Sequence, residues 1–146
     1  MGQLILPASG PVYIDANILI YSVEKIDPYW TLLQPFWQAA QHGQFVVTSS
    51  ELLFLETLVK PIKESDTVLE TTFRQILLGS KEVQLTPITL SILEQAAHLR
   101  ATIGLKSPDA IHAVTALTVG STLFVTNDPV FTRVPALKVV VLKEIL

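Results

Sequence analysis

A chain of 146 residues with 49% hydrophobic and only 16% charged side chains can bury a substantial core, and this composition excludes a disordered polymer. It contains no cysteine, which removes disulfides, thiolate zinc sites and cysteine nucleophiles together, so any metal must be held by oxygen or imidazole. The formal net charge of −3 has the wrong sign for a coat protein that binds polyphosphate by bulk electrostatics, although an enzyme's bound cations can reset the local field.

Met1 to Gly10 form a leader with no positive n-region and too short an apolar stretch for a signal peptide; no role is assigned to it. Nowhere does an apolar run reach the roughly 18 to 20 residues that span a bilayer, so a cytoplasmic protein without membrane attachment is expected. Val12-Tyr13-Ile14 reads as a first strand, and Asp15 stands directly at its carboxyl end. Tyr29, Trp30, Phe36 and Trp37 then share an amphipathic segment, suited to core or partner-groove packing. A second β-branched run is Phe45-Val46-Val47-Thr48. Residues 50–60 read as helix, with Ser49 or Ser50 as its cap and Glu51 in its acidic first turn.

Val68, Leu69, Phe73, Ile76 and Leu77 recur at three-and-four spacing, and Gly79 is placed to stop that helix. Val83-Gln84-Leu85 predicts a third strand. Leu90, Leu93, Ala97 and Ile103 predict another helical face, ended by Gly104. Residues 108–118 predict a further helix, with Ser107 as cap and Pro108 in its first turn. Two more strands follow, Thr122-Leu123-Phe124-Val125 and Leu137-Lys138-Val139-Val140-Val141. With no repeat and no Pro/Gly/Ser-rich linker, residues 1–146 are expected to form a single domain. Strands that lack polar alternation and alternate with helices predict an α/β fold with a central parallel sheet covered on both faces.

The acids fall at informative places. Asp15 and Asp128 each follow a predicted buried strand, and ligands of open parallel sheets bind at those carboxyl ends. If the two strands are neighbours, the acids converge, and carboxylates forced together call for a cation such as Mg²⁺ or Mn²⁺. Asp128-Pro129 and Ser107-Pro108-Asp109 also read simply as helix starts, in which the acid faces the positive end of the helix dipole. Glu56 sits mid-helix among leucines, where an unpaired carboxylate would be costly unless that face is exposed. His112 follows Asp109 at nearly one helical turn; a packed, hydrogen-bonded role is the simpler reading beside that of a ligand. Lys60 and Lys63 fit a phosphate contact or a solvated helix end equally well, and Lys106, beside the Asp109 turn, is the better candidate for substrate contact.

Four segments in order, Tyr13-Ile14-Asp15-Ala16-Asn17-Ile18-Leu19-Ile20-Tyr21, Ser49 through Glu56, Leu105 through Ala113 and Phe124-Val125-Thr126-Asn127-Asp128, resemble the PIN-domain family. Within it they are similar to the small VapC-like ribonucleases of bacterial toxin–antitoxin pairs. The resemblance implies a three-layer α/β/α fold with Asp15, Glu56, Asp109 and Asp128 as the catalytic acidic cluster. Asp15, Asp109 and Asp128 would hold Mg²⁺ or Mn²⁺, and Glu56 would orient a water or complete a second site. Asn17 and Thr126 would support the cluster, and Asn127 would shape the Thr-Asn-Asp turn. The implied reaction is metal-assisted hydrolysis of RNA phosphodiester bonds by a toxin endoribonuclease. The implied partner is a small antitoxin, with homodimerisation also expected.

Two rivals remain at this level. A non-catalytic PIN-fold module that binds RNA or protein would carry the same segments. A haloacid-dehalogenase-like phosphatase also places Asp after its first strand but wants a second Asp two positions on, where this chain has Asn17. A receiver domain is disfavoured because its paired N-terminal acids are missing.

Overall fold

In the computed structural model, which describes residues 2–146, the expected β-branched runs are all strands, displaced along the chain by two residues at most. They are β1 (Val12–Ile14), β2 (Val47–Ser50), β3 (Gln84–Thr86), β4 (Leu123–Thr126) and β5 (Val139–Val141). All pair in parallel, in the order β3-β2-β1-β4-β5. The helices among the described residues are α1 (Ala16–Val23), α2 (Tyr29–Gln41), α3 (Leu52–Lys63), α4 (Thr67–Leu78), α5 (Leu90–Ile103) and α6 (Ser107–Thr118).

Successive side chains of a strand point to opposite faces, and here each face feeds its own core. Val12, Ile14, Leu123 and Val125 pack with Ile18, Leu33, Phe36, Leu53 and Phe73 from α1 to α4. Tyr13 and Phe124 point the other way, onto Ile92, Ala96, Ala110 and Ala113 of α5 and α6. The result is a three-layer α/β/α sandwich, and burial on both faces explains why the central strands lack polar alternation. The chain winds outward from β1 through β2 to β3, then returns to the other side of β1 as β4. This reversal is a topological switch point, and the crevice at its carboxyl end is where open α/β sheets bind ligands.

Several local expectations are corrected. β2 runs on into Ser49 and Ser50, which are fully buried, because their backbones pair with Leu85 and Thr86. Ser49 donates its hydroxyl to the Ile14 carbonyl (2.7 Å) rather than capping α3, and Ser50 Oγ accepts from Leu52 N at 3.1 Å. Ser107 is the first residue of α6 and not its cap. Its hydroxyl accepts from Arg100 Nη1 (2.9 Å), while Arg100 Nε donates to the Leu105 carbonyl, so one guanidinium ties the end of α5 to the start of α6. The buried face of α5 is Ile92 and Ala96, with Leu99 and Ile103 beside them; Leu90 and Leu93 are exposed. Val68 is likewise exposed on α4. Gly104 does end α5 in the left-handed region (φ 81°), where a glycine carries no Cβ penalty.

The leader is packed onto the sheet. Gly2 N donates to the Ile145 carbonyl, Leu4 is buried, and Gln44 and Thr122 donate to the carbonyls of Pro7 and Ser9. Met1 lies outside the described residues. Among the described residues no helix is long and apolar enough to cross a membrane.

Candidate active site

The β1–β4 pairing decides where the first two acids go. Ile14 is in register with Val125, so Asp15 emerges beside Thr126 and one turn from Asp128. Asp15 is 7% exposed, and its Oδ2 accepts the Thr126 hydroxyl at 2.5 Å. The same Thr126 oxygen accepts the backbone N–H of Asp128 at 3.0 Å, so one buried hydroxyl links both strand-end acids. Asp128 Oδ1 in turn accepts from Val130 N (3.0 Å), capping the 3-10 turn Pro129–Arg133. The helix-start reading of Asp128 therefore holds for one oxygen. Asn127 bridges outward: its amide donates to the Tyr21 hydroxyl (3.1 Å) and its carbonyl oxygen accepts from Lys143 N (2.8 Å). Those bonds fix the turn between Thr126 and Asp128.

Two helices deliver the other acids. Asp109 lies in the first turn of α6, half-buried. Glu56 faces inward from α3, and its Oε1 lies 2.6 Å from Nε2 of His112. Asp15, Asn17, Glu56, Asp109, Asp128 and His112 all line one cleft of about 130 Å³, together with Ala16 and Phe131. Thr126 and Asn127 stand behind this lining. Lys106 is exposed at the start of α6 and does not line the cleft, though its charge reaches Asp109.

Electrostatics mark the cleft as a place where burial opposes the ionised form of two carboxyls. Burial pushes the Asp15 carboxyl up from its ordinary 3.8 to about 6, against the hydrogen bond from Thr126 and the proximity of His112. Asp109 is also raised, first by burial and then by the neighbouring Asp128 carboxylate. Asp15 Oδ1 is buried and has no hydrogen-bond partner. Such an orphaned acceptor is unusual in a native interior, and a cation would satisfy it.

The donor set fits a hard divalent ion. The lining acids offer oxygen alone, and both nitrogens of His112 are engaged, Nδ1 with the Tyr13 hydroxyl at 2.7 Å and Nε2 with Glu56. That removes the imidazole as a ligand. Among the described residues no three acidic or imidazole side chains close on one point as a ready-made cage. Mg²⁺ is commonly held by one or two carboxylates while keeping several waters, so Asp15 with Asp109 or Asp128 suffices. His112 and Tyr13 are the site residues whose partners the sequence left unassigned. Spacing placed His112 near Asp109, but nothing in the pattern told that Tyr13, from the opposite side of the ring, would reach it.

Comparisons with known proteins bear on family and fold. The PIN domain family profile matches residues 12–137. Among solved structures, the chain is similar to VapBC2 from Rickettsia felis, bound to a DNA fragment from its promoter, with TM-score 0.67 and 17% identity over 88% of this chain and 96% of that one. It is also similar to a toxin–antitoxin complex from Klebsiella pneumoniae, with TM-score 0.62 and 22% identity over 88% of this chain and 95% of that one. No curated protein matches significantly. At these identities the likeness is one of fold, whereas the family profile spans most of the sequence, from β1 to the approach to β5: the chain belongs to the PIN domain family.

Proposed function

We propose that this protein is a divalent-metal-dependent endoribonuclease, the VapC-like toxin of a toxin–antitoxin pair acting in the cytoplasm. The observation that carries the reading is the buried, unpartnered Asp15 Oδ1 in a cleft whose other polar lining is Asn17, Glu56, Asp109, Asp128 and His112. Membership of a family whose members are typically nucleases supports it, as does the fold likeness to toxin–antitoxin complexes.

Asp15, Asp109 and Asp128, at least one of them through a bound water, would hold Mg²⁺ or Mn²⁺, which supplies charge neutralisation at the scissile phosphate and a more acidic water. Thr126 keeps Asp15 and Asp128 in mutual register by donating to one and accepting from the other's backbone. Glu56, with one oxygen held by His112, offers the other to take a proton from the attacking water. Asn17 orients the phosphate from the exposed start of α1, and Lys106 meets a phosphate farther along the RNA. The antitoxin would cover the cleft and use a groove of about 400 Å³ lined by Leu19, Trp30, Trp37 and Ile76. Leu55, Val59 and Ile62, exposed along one side of α3, offer apolar area for a homodimer.

Incubating the purified protein with mixed-sequence RNA in Mg²⁺ or Mn²⁺ tests the reading. Cleavage is expected, with loss on chelation and in Asp15→Asn. Equal cleavage in that variant refutes the assigned site, and Mn²⁺ binding without any turnover would instead favour a non-catalytic binding module.

A further inference from the structure

Behind Glu56 lies a hydrogen-bonded chain, of which the proposed chemistry uses only the last link, from His112 to Glu56. The Tyr13 hydroxyl and His112 Nδ1 are 2.7 Å apart, and His112 Nε2 and Glu56 Oε1 are 2.6 Å apart. Tyr13 and His112 are both buried, and their rings meet edge to face with centroids 5.7 Å apart. Tyr13 is itself stacked on Phe124 at 5.0 Å, so the phenol has no freedom to swing away.

The proton positions follow from the distances. A nitrogen lone pair cannot face a carboxylate oxygen at 2.6 Å, so Nε2 carries the hydrogen and donates to Glu56. In the neutral ring Nδ1 is then bare and accepts the Tyr13 hydroxyl. A phenol is protonated at neutral pH, so the Tyr13 hydroxyl is the donor in the 2.7 Å contact with Nδ1. A Glu on a helix surface has several rotatable bonds and would otherwise sample many positions in a half-open cleft.

We propose that His112 is a positioning residue: its Nε2–H, set by the hydrogen bond from the Tyr13 hydroxyl to Nδ1, fixes one oxygen of Glu56 and leaves the other facing the cleft. This rests on the role proposed for Glu56. It is the arrangement by which outer groups fix the tautomer and direction of a functional side chain, here on a carboxylate rather than on a metal-bound ring.

The test combines a spectrum with kinetics on the full chain. In ¹⁵N–¹H correlation spectra of the protein, His112 is expected as the Nε2–H tautomer with bare Nδ1, and Glu56→Ala is expected to move the Nε2–H resonance. A protonated Nδ1, or an Nε2–H resonance indifferent to Glu56→Ala, overturns the proposal. In Mn²⁺ with a quenched fluorescent mixed-sequence RNA, His112→Met is expected to lower kcat about 10- to 100-fold with KM held within about twofold. His112→Gln, whose amide N–H reaches the same place, is expected to recover most of that loss. Tyr13→Phe is expected to give a smaller fall in kcat together with a mixed tautomer spectrum. A His112→Met protein that folds and keeps its kcat contradicts positioning; if it does not fold, the Gln and Phe variants carry the same comparison. Should Glu56→Gln cleave as well as the parent, the catalytic assignment of Glu56 fails, and the spectrum still decides whether His112 holds it.

Discussion

The two sides of the acidic cleft are built by different means. On the strand side, Asp15 and Asp128 are placed by backbone: adjacent parallel strands end together, and the buried Thr126 hydroxyl joins them. On the helix side, Glu56 and Asp109 project from α3 and α6, and Glu56 keeps its direction through His112. Of the four acids, Asp15 is the buried one and has an unsatisfied oxygen, whereas Asp128, Glu56 and Asp109 keep partial contact with solvent. The most deeply buried carboxylate thus stands at the end of β1, and more accessible ones face it.

The largest expected effect belongs to the strand side. Asp15→Asn and Asp128→Asn each remove a carboxylate from the proposed cation site, and RNA cleavage is expected to fall at least about 1,000-fold. Glu56→Gln removes a proton acceptor but leaves the strand side intact, and about 100-fold in kcat is expected. Equal losses on both sides would erase the distinction between them. Thr126→Val deletes the hydroxyl shared by Asp15 and the Asp128 backbone; a loss of roughly 10- to 100-fold in cleavage is expected, with lower stability in denaturant melts.

The smallest signal is one of stability, and its sign is opposite. Because the folded-state pKa of Asp15 is about 6 against an ordinary 3.8, the folded protein holds this proton more tightly than the unfolded chain. The cost of ionising Asp15 is therefore absent below about pH 4, grows as pH rises through 6 and is complete above that. In chelator, Asp15→Asn should raise stability at pH 7.5 by on the order of 1–3 kcal/mol, with the gain vanishing near pH 4. A pH-independent difference would mean that Asp15 is not the strained group.

Much of the strand side was legible in the sequence. Val12-Tyr13-Ile14 and Leu123-Phe124-Val125 are uniformly apolar runs, and an acid directly after each has few places to go once the strands are adjacent. Adjacency itself was not legible from pattern alone, since it depends on the crossover from β3 at one edge back past β1 to β4. The helix side was harder to read. Ser107 and Ser49 look like caps, yet Arg100 and the Ile14 carbonyl claim their hydroxyls, because tertiary partners outcompeted the local bond. The buried face of α5 is Ile92 and Ala96 rather than Leu90 and Leu93, since three-and-four spacing in a helix rich in apolar residues fits more than one stripe. The Tyr13–His112–Glu56 chain joins β1, α6 and α3, and no local pattern encodes a contact across three elements.

Calorimetric titration of Mn²⁺ into the parent protein and into Asp15→Asn at pH 7.5 tests the central claim most directly. The strained strand-end carboxylate predicts saturable binding in the parent that is abolished or weakened at least about tenfold in the variant. Unchanged Mn²⁺ affinity in Asp15→Asn would contradict it.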